Sequence, residues 1–382
     1  MITGSKELIR DINSHLVLEA IVNNAPLSRA ALSQQLGLTK ATISTIVQEL
    51  LDTHLILEIG SKDTKKGRKP ILLTFNQNCG QIISLDIGSH FITLLTSNLK
   101  GENCQIEQHA IHWNNVNLLE FLKSIIRNTL AALPATKYGV VGASIGIHGV
   151  VSDNKIAFLP YHTFEPANLS AALENEFNIA FYVENEANLS VLGEKAFLSH
   201  YSSMINLSVH NGIGMGIIID DALYTGANGY AGEFGHTIIV PQGRDCPCGN
   251  KGCFEQYASE TALLLEFAAR KKMTSVTIDE LIHFYYKKDE DALSIVEEFI
   301  TYISIGINNI LNTFNPDLII INSAFTTFLP SLTQDITLAL NNRMNHFCRI
   351  TPSKLQDTAI LLGGAYVCAK KFLGIESLSF NS

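Results

Sequence analysis

The chain has 382 residues, a length that accommodates two or three domains. Apolar residues make up 46% and charged residues 16%, the balance of a globular protein with a large core. No apolar run reaches the ~18 residues of a membrane span, and the start, Met1-Ile2-Thr3-Gly4-Ser5, lacks the basic-then-apolar pattern of an export leader, so a cytoplasmic location is expected. The net charge of −9 speaks against nucleic-acid binding by the chain as a whole, but the charge is unevenly placed. Residues 1–80 carry nine basic and seven acidic side chains, a net of +2, and the remainder carries 18 and 29, a net of −11. A slightly basic head on an acidic body suits a protein whose head alone meets phosphates.

The head opens with a helical pattern from about Lys6 to Asn23, with Ile9, Ile12, Leu16 and Ala20 at helical spacing. Asn23-Asn24-Ala25-Pro26 ends it. Ser28 is placed to cap a short second helix, Arg29 to Leu36, which Gly37 breaks. Thr39 can cap a third helix from Lys40 to about Thr53. Ile43, Ile46, Val47 and Leu50 share one of its faces, and Ala41, Ser44, Thr45 and Gln48 share the other. A short helix, a tight turn and a helix with small polar residues near its start are the parts of a helix-turn-helix, in which such residues reach base edges in the major groove. The candidate DNA contacts on this helix are Lys40, Ser44, Thr45 and Gln48. Two strand-like runs follow, Leu55 to Ile59 and Ile71 to Phe75, and the segment between them holds five basic residues and one acidic one. Lys65, Lys66, Arg68 and Lys69 there read as a wing that touches the DNA backbone or minor groove. Residues 1–76 are thus expected to form a winged helix-turn-helix.

From about residue 80 strands and helices alternate, which indicates an α/β body. Gln81 to Gly88 reads as a strand ending in Asp-x-Gly, Phe91 to Leu95 as the next strand and Leu118 to about Leu133 as an amphipathic helix. Gly139 to Gly146 is a strand running into a glycine-rich turn. Ala180 to Val183, a helix from Glu186 to about Leu198 and a strand from Ser203 to Val209 continue the pattern.

An odd count of seven cysteines argues against a disulfide framework. Cys79, Cys104, Cys348 and Cys368 are scattered and read as small buried hydrophobes. Cys246, Cys248 and Cys253 fall within eight residues, and His236 precedes them. One imidazole and three thiols can close a tetrahedral zinc site with no open position for water, so the expected metal is structural. Such an ion would fix the loop from His236 to Cys253 and hold Glu233 and Glu255 in place.

The run Gly-x-x-Gly-x-Ala-Gly-Glu-x-Gly-His, Gly226 to His236, followed by Cys-x-Cys-Gly-x-x-Gly-Cys-x-Glu, Cys246 to Glu255, resembles the signature of the ROK family of repressors, open reading frames and kinases. The resemblance runs from about residue 80 to 370, and the winged helix upstream resembles the repressor branch. It implies an actin-like (ribonuclease H-like), two-lobed ATPase fold with sugar bound between lobes, and a homodimer or tetramer. The first lobe is expected over 80–190, completed by a C-terminal helix at about 356–374, and the second, with the zinc loop, over 191–355. Carried over motif by motif, the resemblance assigns sugar contacts to Asn185, Glu186, Glu233, His236 and Glu255. Carboxylates and an amide suit a ring of hydroxyls, each both donor and acceptor. Read without the family, Glu186 is an exposed first-turn residue favoured by the helix dipole.

The kinases of the family carry Asp-x-Gly-Gly-Thr in the first phosphate loop, where this chain has Asp86-Ile87-Gly88-Ser89-His90. Glu186 stands at the position of the kinase Asp base, and one added methylene displaces a base by about 1 Å. The second phosphate loop reads His210-Asn211-Gly212 in place of Gly-Thr-Gly. Asn322-Ser323 follow the strand Leu318 to Ile321 where Gly-Gly is usual. Four departures in one nucleotide site point away from ATP use and catalysis. The resemblance therefore implies a repressor that binds a palindromic operator and answers to a sugar. The Glu-Asn-Glu-Ala-Asn stretch, 184–188, resembles xylose-repressor-like members, which makes xylose the first inducer to consider. A ROK-type sugar kinase with an accessory head, and a repressor governed by a transport protein, are the alternatives.

Overall fold

A computed structural model describes residues 6–61, 70–113, 117–159, 168–340 and 348–381. Internal packing divides the chain into two compact units. Unit 1 comprises Met1–Glu184, Lys195–Ser199 and Leu361–Ser382, and unit 2 comprises Asn185–Glu194 and His200–Ile360. The head and the first α/β body therefore share a unit.

The head consists of α1 (Lys6–Asn24), β1 (Leu27–Ser28), α2 (Arg29–Leu36), α3 (Lys40–Asp52), β2 (Ile56–Ser61) and β3 (Ile71–Phe75). The caps fall where the sequence puts them. Ser28 Oγ accepts from Ala31 N at 3.2 Å, Thr39 Oγ1 accepts from Thr42 N at 3.1 Å, and Gly37 ends α2 at a φ of 66°. The three strands form an antiparallel sheet in the order β1-β3-β2. On α1 the burial differs from the expected stripe. Ala20 is buried with Val17, Leu18, Ile21 and Val22, whereas Ile9, Ile12 and Leu16 are about half exposed. Only the second half of this long helix packs into the head's core, so periodicity marks a helix there without marking its buried face.

The rest of unit 1 holds β4 (Gln81–Ile87), β5 (Phe91–Asn98), β6 (Gln105–Ala110), α4 (Leu118–Ala132), β7 (Val140–Ile147), β8 (Val150–Ser152), β9 (Lys155–Phe158), α5 (Leu169–Phe177) and β10 (Phe181–Asn185). Five of these strands pair in the order β10-β7-β4-β5-β6, and β8 and β9 form a separate two-stranded ribbon. Leu118, Leu122, Ile125 and Ile126 give α4 one buried face, which joins the sheet's core. Helix α6 (Glu186–Phe197) then belongs to unit 2 through Glu194 and to unit 1 from Lys195.

Unit 2 continues with β11 (Met204–Val209), β12 (Ile213–Ile219), β13 (Ala222–Leu223), α7 (Glu255–Ala258), α8 (Glu260–Lys271), α9 (Ile278–Tyr286), α10 (Glu290–Phe314), β14 (Leu318–Asn322), α11 (Ala324–Phe328), α12 (Leu332–Ala339) and β15 (Arg349–Pro352). Its strands pair in the order β13-β12-β11-β14-β15. Both five-stranded sheets thus carry an antiparallel meander on one side of a central strand and a parallel neighbour on the other, the repeated lobe of the actin-like, ribonuclease H-like class. The 25-residue α10 is capped by Asp289, which accepts from Ala292 N, and it buries Ile295, Phe299, Ile303 and Ile307 in the core of unit 2. Helix α13 (Thr358–Leu373) closes the order. Among the described residues no helix is long and apolar enough to cross a membrane.

The scattered cysteines divide. Cys79 and Cys368 are buried as expected, but Cys104 is exposed and Cys348 is half buried. Cys104 follows the β5–β6 turn, where the chain leaves the core.

Candidate functional site

Helix α3 sorts its side chains by face. Ile43, Ile46, Val47 and Leu50 are buried, while Lys40, Ser44, Thr45 and Gln48 are exposed. Thr45 Oγ1 donates to Ala41 O at 3.1 Å, and Gln48 Nε2 donates to Asp52 Oδ1 at 2.8 Å. Arg29 on α2 pairs with Glu58 on β2 at 2.9 Å. The wing residues Lys65, Lys66, Arg68 and Lys69 lie outside the described residues.

In unit 2 the candidate ligand residues gather around the start of β12. Two glycines permit this approach. A Cβ on Gly212 would stand 2.5 Å from Glu255 Oε2, and one on Gly214 would stand 2.8 Å from Glu186 Oε1. Any side chain at these positions would displace a carboxylate. Glu255 Oε2 also accepts from Ile213 N at 3.0 Å. Asn185 Oδ1 accepts from Ala187 N at 2.8 Å and Asn188 N at 3.1 Å, so this side chain caps α6 as well as standing beside Glu186. Glu233 precedes a single 3-10 turn, Phe234–His236, and its Oε2 lies 3.8 Å from His236 Nε2. Burial pushes the Glu233 carboxyl up, His236 opposes the shift and Glu255 adds to it.

The other nitrogen of His236 faces the thiols. Its Nδ1 lies 3.7 Å from Cys246 Sγ, and Cys248 Sγ lies 3.6 Å from Cys253 Sγ. The ligand atoms of His236, Cys246, Cys248 and Cys253 all lie within 4.8 Å of one another, a group that could hold a metal ion. Bond lengths of ~2.3 Å to sulfur and ~2.0–2.1 Å to nitrogen make the edges of a tetrahedral zinc site about 3.6–3.8 Å, so the donors fit in type and in spacing. Burial pushes the Cys246 and Cys253 thiols up, and the backbone N–H of Asn250 lowers Cys248. A divalent cation would supply the charge that holds all three as thiolates. His236 would hold a metal through Nδ1, which would leave Nε2, 3.8 Å from Glu233 Oε2, as a donor towards that carboxylate.

The loops to which the resemblance assigns the kinase nucleotide site are hydrogen-bonded to one another in this chain. His210 N donates to Gly212 O at 2.9 Å in the tight turn between β11 and β12. Glu260 N donates to His210 O at 2.9 Å. The Glu260 carboxylate accepts from Ser323 Oγ at 3.0 Å and from Ala324 N at 2.6 Å, just past the end of β14. Because β11 and β14 are parallel neighbours, Glu260 spans their carboxyl ends, where open α/β sheets bind ligands. Burial pushes its carboxyl up, and His210, 3.9 Å away, opposes that shift. A phosphate brought to Ser323 and Ala324 would find those donors bonded to the Glu260 carboxylate. The sequence reading passed over Glu260. A glutamate after the N-cap Ser259 looks like an ordinary first-turn acid, and only the fold puts β14 beside it. In unit 1, Gly88 N donates to Phe91 O at 3.0 Å in a closed turn, and Asp86 Oδ1 lies 3.3 Å from His148 Nε2.

Residues 82–371 match the ROK family profile, and residues 10–56 match a profile described as winged helix-turn-helix DNA-binding. The chain belongs to the ROK family. It is 33% identical to the xylose repressor of Bacillus spizizenii over 98% of this chain and 99% of that protein. Among solved structures, a ROK family transcriptional regulator described as a homolog of the E. coli MLC protein superposes with a TM-score of 0.80 at 26% identity, covering 96% of this chain and 97% of that one. A ROK family glucokinase from Streptomyces griseus, solved with glucose and AMPPNP, shares the body's fold at a TM-score of 0.67 and 23% identity, over 75% of this chain and 99% of that one.

Proposed function

We propose that this protein is a sugar-responsive repressor of carbohydrate-utilisation genes, acting in the cytoplasm as a dimer or tetramer on palindromic operator DNA. The observation that carries this reading is the division of α3, with its apolar face buried and Lys40, Ser44, Thr45 and Gln48 exposed on the other. Residues 1–76 are the DNA-binding part, with those four side chains in the major groove and Lys65, Lys66, Arg68 and Lys69 on the backbone or minor groove. Residues 80–190 with 356–374, and residues 191–355, are the two lobes of the effector-binding body.

Asn185, Glu186, Glu233, His236 and Glu255 bind the sugar in this reading. The similarity to a xylose repressor makes D-xylose the first candidate. Zinc on His236, Cys246, Cys248 and Cys253 is structural and fixes the loop that carries Glu233 and leads to Glu255. No phosphoryl transfer is assigned, because Glu260 holds the donors at the end of β14. The sugar loosens operator binding by the extent to which it prefers the conformation that DNA does not.

The test is a fluorescence-anisotropy titration of the DNA upstream of the protein's own gene, at fixed salt, with and without xylose, glucose and N-acetylglucosamine. Specific binding abolished by one sugar is expected. Lys40→Ala and Gln48→Ala should each weaken operator binding about tenfold or more, with sugar affinity retained, and Lys40→Ala should lower the salt slope by about one. Unchanged operator affinity in both variants would remove α3 as the reading helix.

A further inference from the structure

The C-terminal segment after α13 touches the head and the last turn of α6, and each contact lies within unit 1. At Gly374 the space for a Cβ is taken by His15 of α1, 2.9 Å away at Nε2. Glu376 N donates to Glu19 Oε2 at 2.8 Å. Asn23 then grips the segment through both ends of its amide. Its Nδ2 donates to Ser377 O at 2.9 Å and its Oδ1 accepts from Ser379 N at 2.8 Å. The side chain pairs with this backbone as a neighbouring strand would.

The same segment caps the C-terminus of α6. A helix leaves its last four carbonyls without intrahelical partners. Phe380 N donates to Ala196 O at 2.7 Å, and Asn381 Nδ2 donates to Phe197 O. The Phe380 ring is buried, edge-on to Phe197 with centroids 5.7 Å apart and against Tyr366 at 6.1 Å. Lys100 Nζ donates to Ser379 O. Ile375 and Leu378 are buried as well, so the segment is packed along its length.

Helix α6 has two ends with different tasks. Asn185 and Glu186, at its start, are assigned above to the sugar. Ala196 and Phe197, at its finish, are held by the C-terminal segment. Twelve residues of continuous helix span about 18 Å between these two ends.

We propose that residues 374–381 are a strap that couples the effector end of α6 to the DNA-binding head. A shift of α6 on sugar binding pulls on Phe380, and Asn23 and Glu19 pass the pull to α1. The inference rests on the reading of the protein as a sugar-responsive repressor. It requires the strap to carry coupling energy between two ligands while neither ligand needs it for its own contacts.

The experiment compares full-length wild type, Asn23→Ala and Phe380→Ala, which release the strap at its two ends. For each, the operator dissociation constant is measured by anisotropy without and with saturating xylose, and xylose binding is measured by calorimetry. The strap predicts that the ratio of the two operator constants falls at least fivefold in both variants, while sugar affinity and sugar-free operator affinity stay within about threefold of wild type. A ratio unchanged in both variants overturns the strap. Loss of sugar-free operator binding in both also overturns it, because the segment would then merely support the head. A wild-type ratio of one with every sugar tested overturns instead the sugar-responsive reading, and the strap with it.

Discussion

Two glutamates of unit 2 lie on either side of the β11–β12 turn and have different surroundings. Glu255 faces Gly212 and receives the Ile213 N–H, with the Glu233 carboxylate as its neighbour. Glu260 is wedged between strand ends, and its carboxylate is taken up by Ser323 and Ala324. The first arrangement brings two carboxylates together, Glu255 beside the Ile213 N–H and Glu233 beside His236. The second is already complete. The residue type is the same, and the two differ in the donors around them: one backbone N–H for Glu255, a hydroxyl and a backbone N–H for Glu260.

The largest change to the Glu255 side should come from the metal loop. Cys253 is fully buried and two residues from Glu255, so Cys253→Ser would weaken both the hold on a metal at these donors and the loop that leads to the glutamate. Metal content should fall from about one zinc per chain to none by atomic emission, and sugar affinity should drop at least tenfold by calorimetry. Undiminished sugar affinity in the metal-free variant would separate the loop from the site.

Substitution of the two glutamates sharpens the comparison directly. Glu255→Ala should cost about 1.5–3 kcal/mol of sugar binding, the worth of hydrogen bonds to a charged group. Glu260→Gln should leave sugar affinity unchanged and alter only the pH dependence of stability. Burial raises the Glu260 carboxyl, so the folded protein holds that proton more tightly than the unfolded chain does. The resulting stabilisation is complete below the unfolded value of about 4.3 and is lost as pH rises through the folded value. The wild type should therefore gain stability relative to Glu260→Gln as pH falls from neutral, read from urea midpoints at each pH. A constant difference across that range would mean that Glu260 titrates alike in both states.

This contrast shows what could be read before the fold was known. The caps Ser28, Gly37 and Thr39, the two faces of α3 and the His236–Cys253 cluster depend on residues close in sequence, and local spacing was enough to find them. The gathering of Glu186, Glu233 and Glu255 came from motif resemblance, because no local rule brings residues 186, 233 and 255 to one strand. Glu260 and the C-terminal segment were not legible. The hydrogen-bond partners of the Glu260 carboxylate lie 63 residues away or more and those of the segment from 184 to 357 residues away, and each local signal had a sufficient ordinary explanation. On α1 the periodicity was correct and its interpretation incomplete, since helical spacing does not reveal how much of a long helix the core reaches.

The smallest expected effects separate the scattered cysteines. Cys368 is fully buried on α13, with its Sγ where a Cβ on Gly142 would stand 3.4 Å away, so its thiol fills space against a glycine of the sheet. Serine there would bring a hydroxyl into an apolar gap at a cost of about 1–3 kcal/mol. The lower part of that range is favoured because a helical serine can donate to the carbonyl one turn back. Cys104 is exposed beside the turn of the β5–β6 hairpin, so Cys104→Ser should shift stability by no more than about 0.5 kcal/mol. Urea midpoints measure both costs, and a thiol reagent applied to the native protein should modify Cys104 and spare Cys368. Equal costs for the two serines would mean that the apolar wall around Cys368 is no drier than the surface, and the buried-hydrophobe reading would then fail for Cys368 as it does for Cys104.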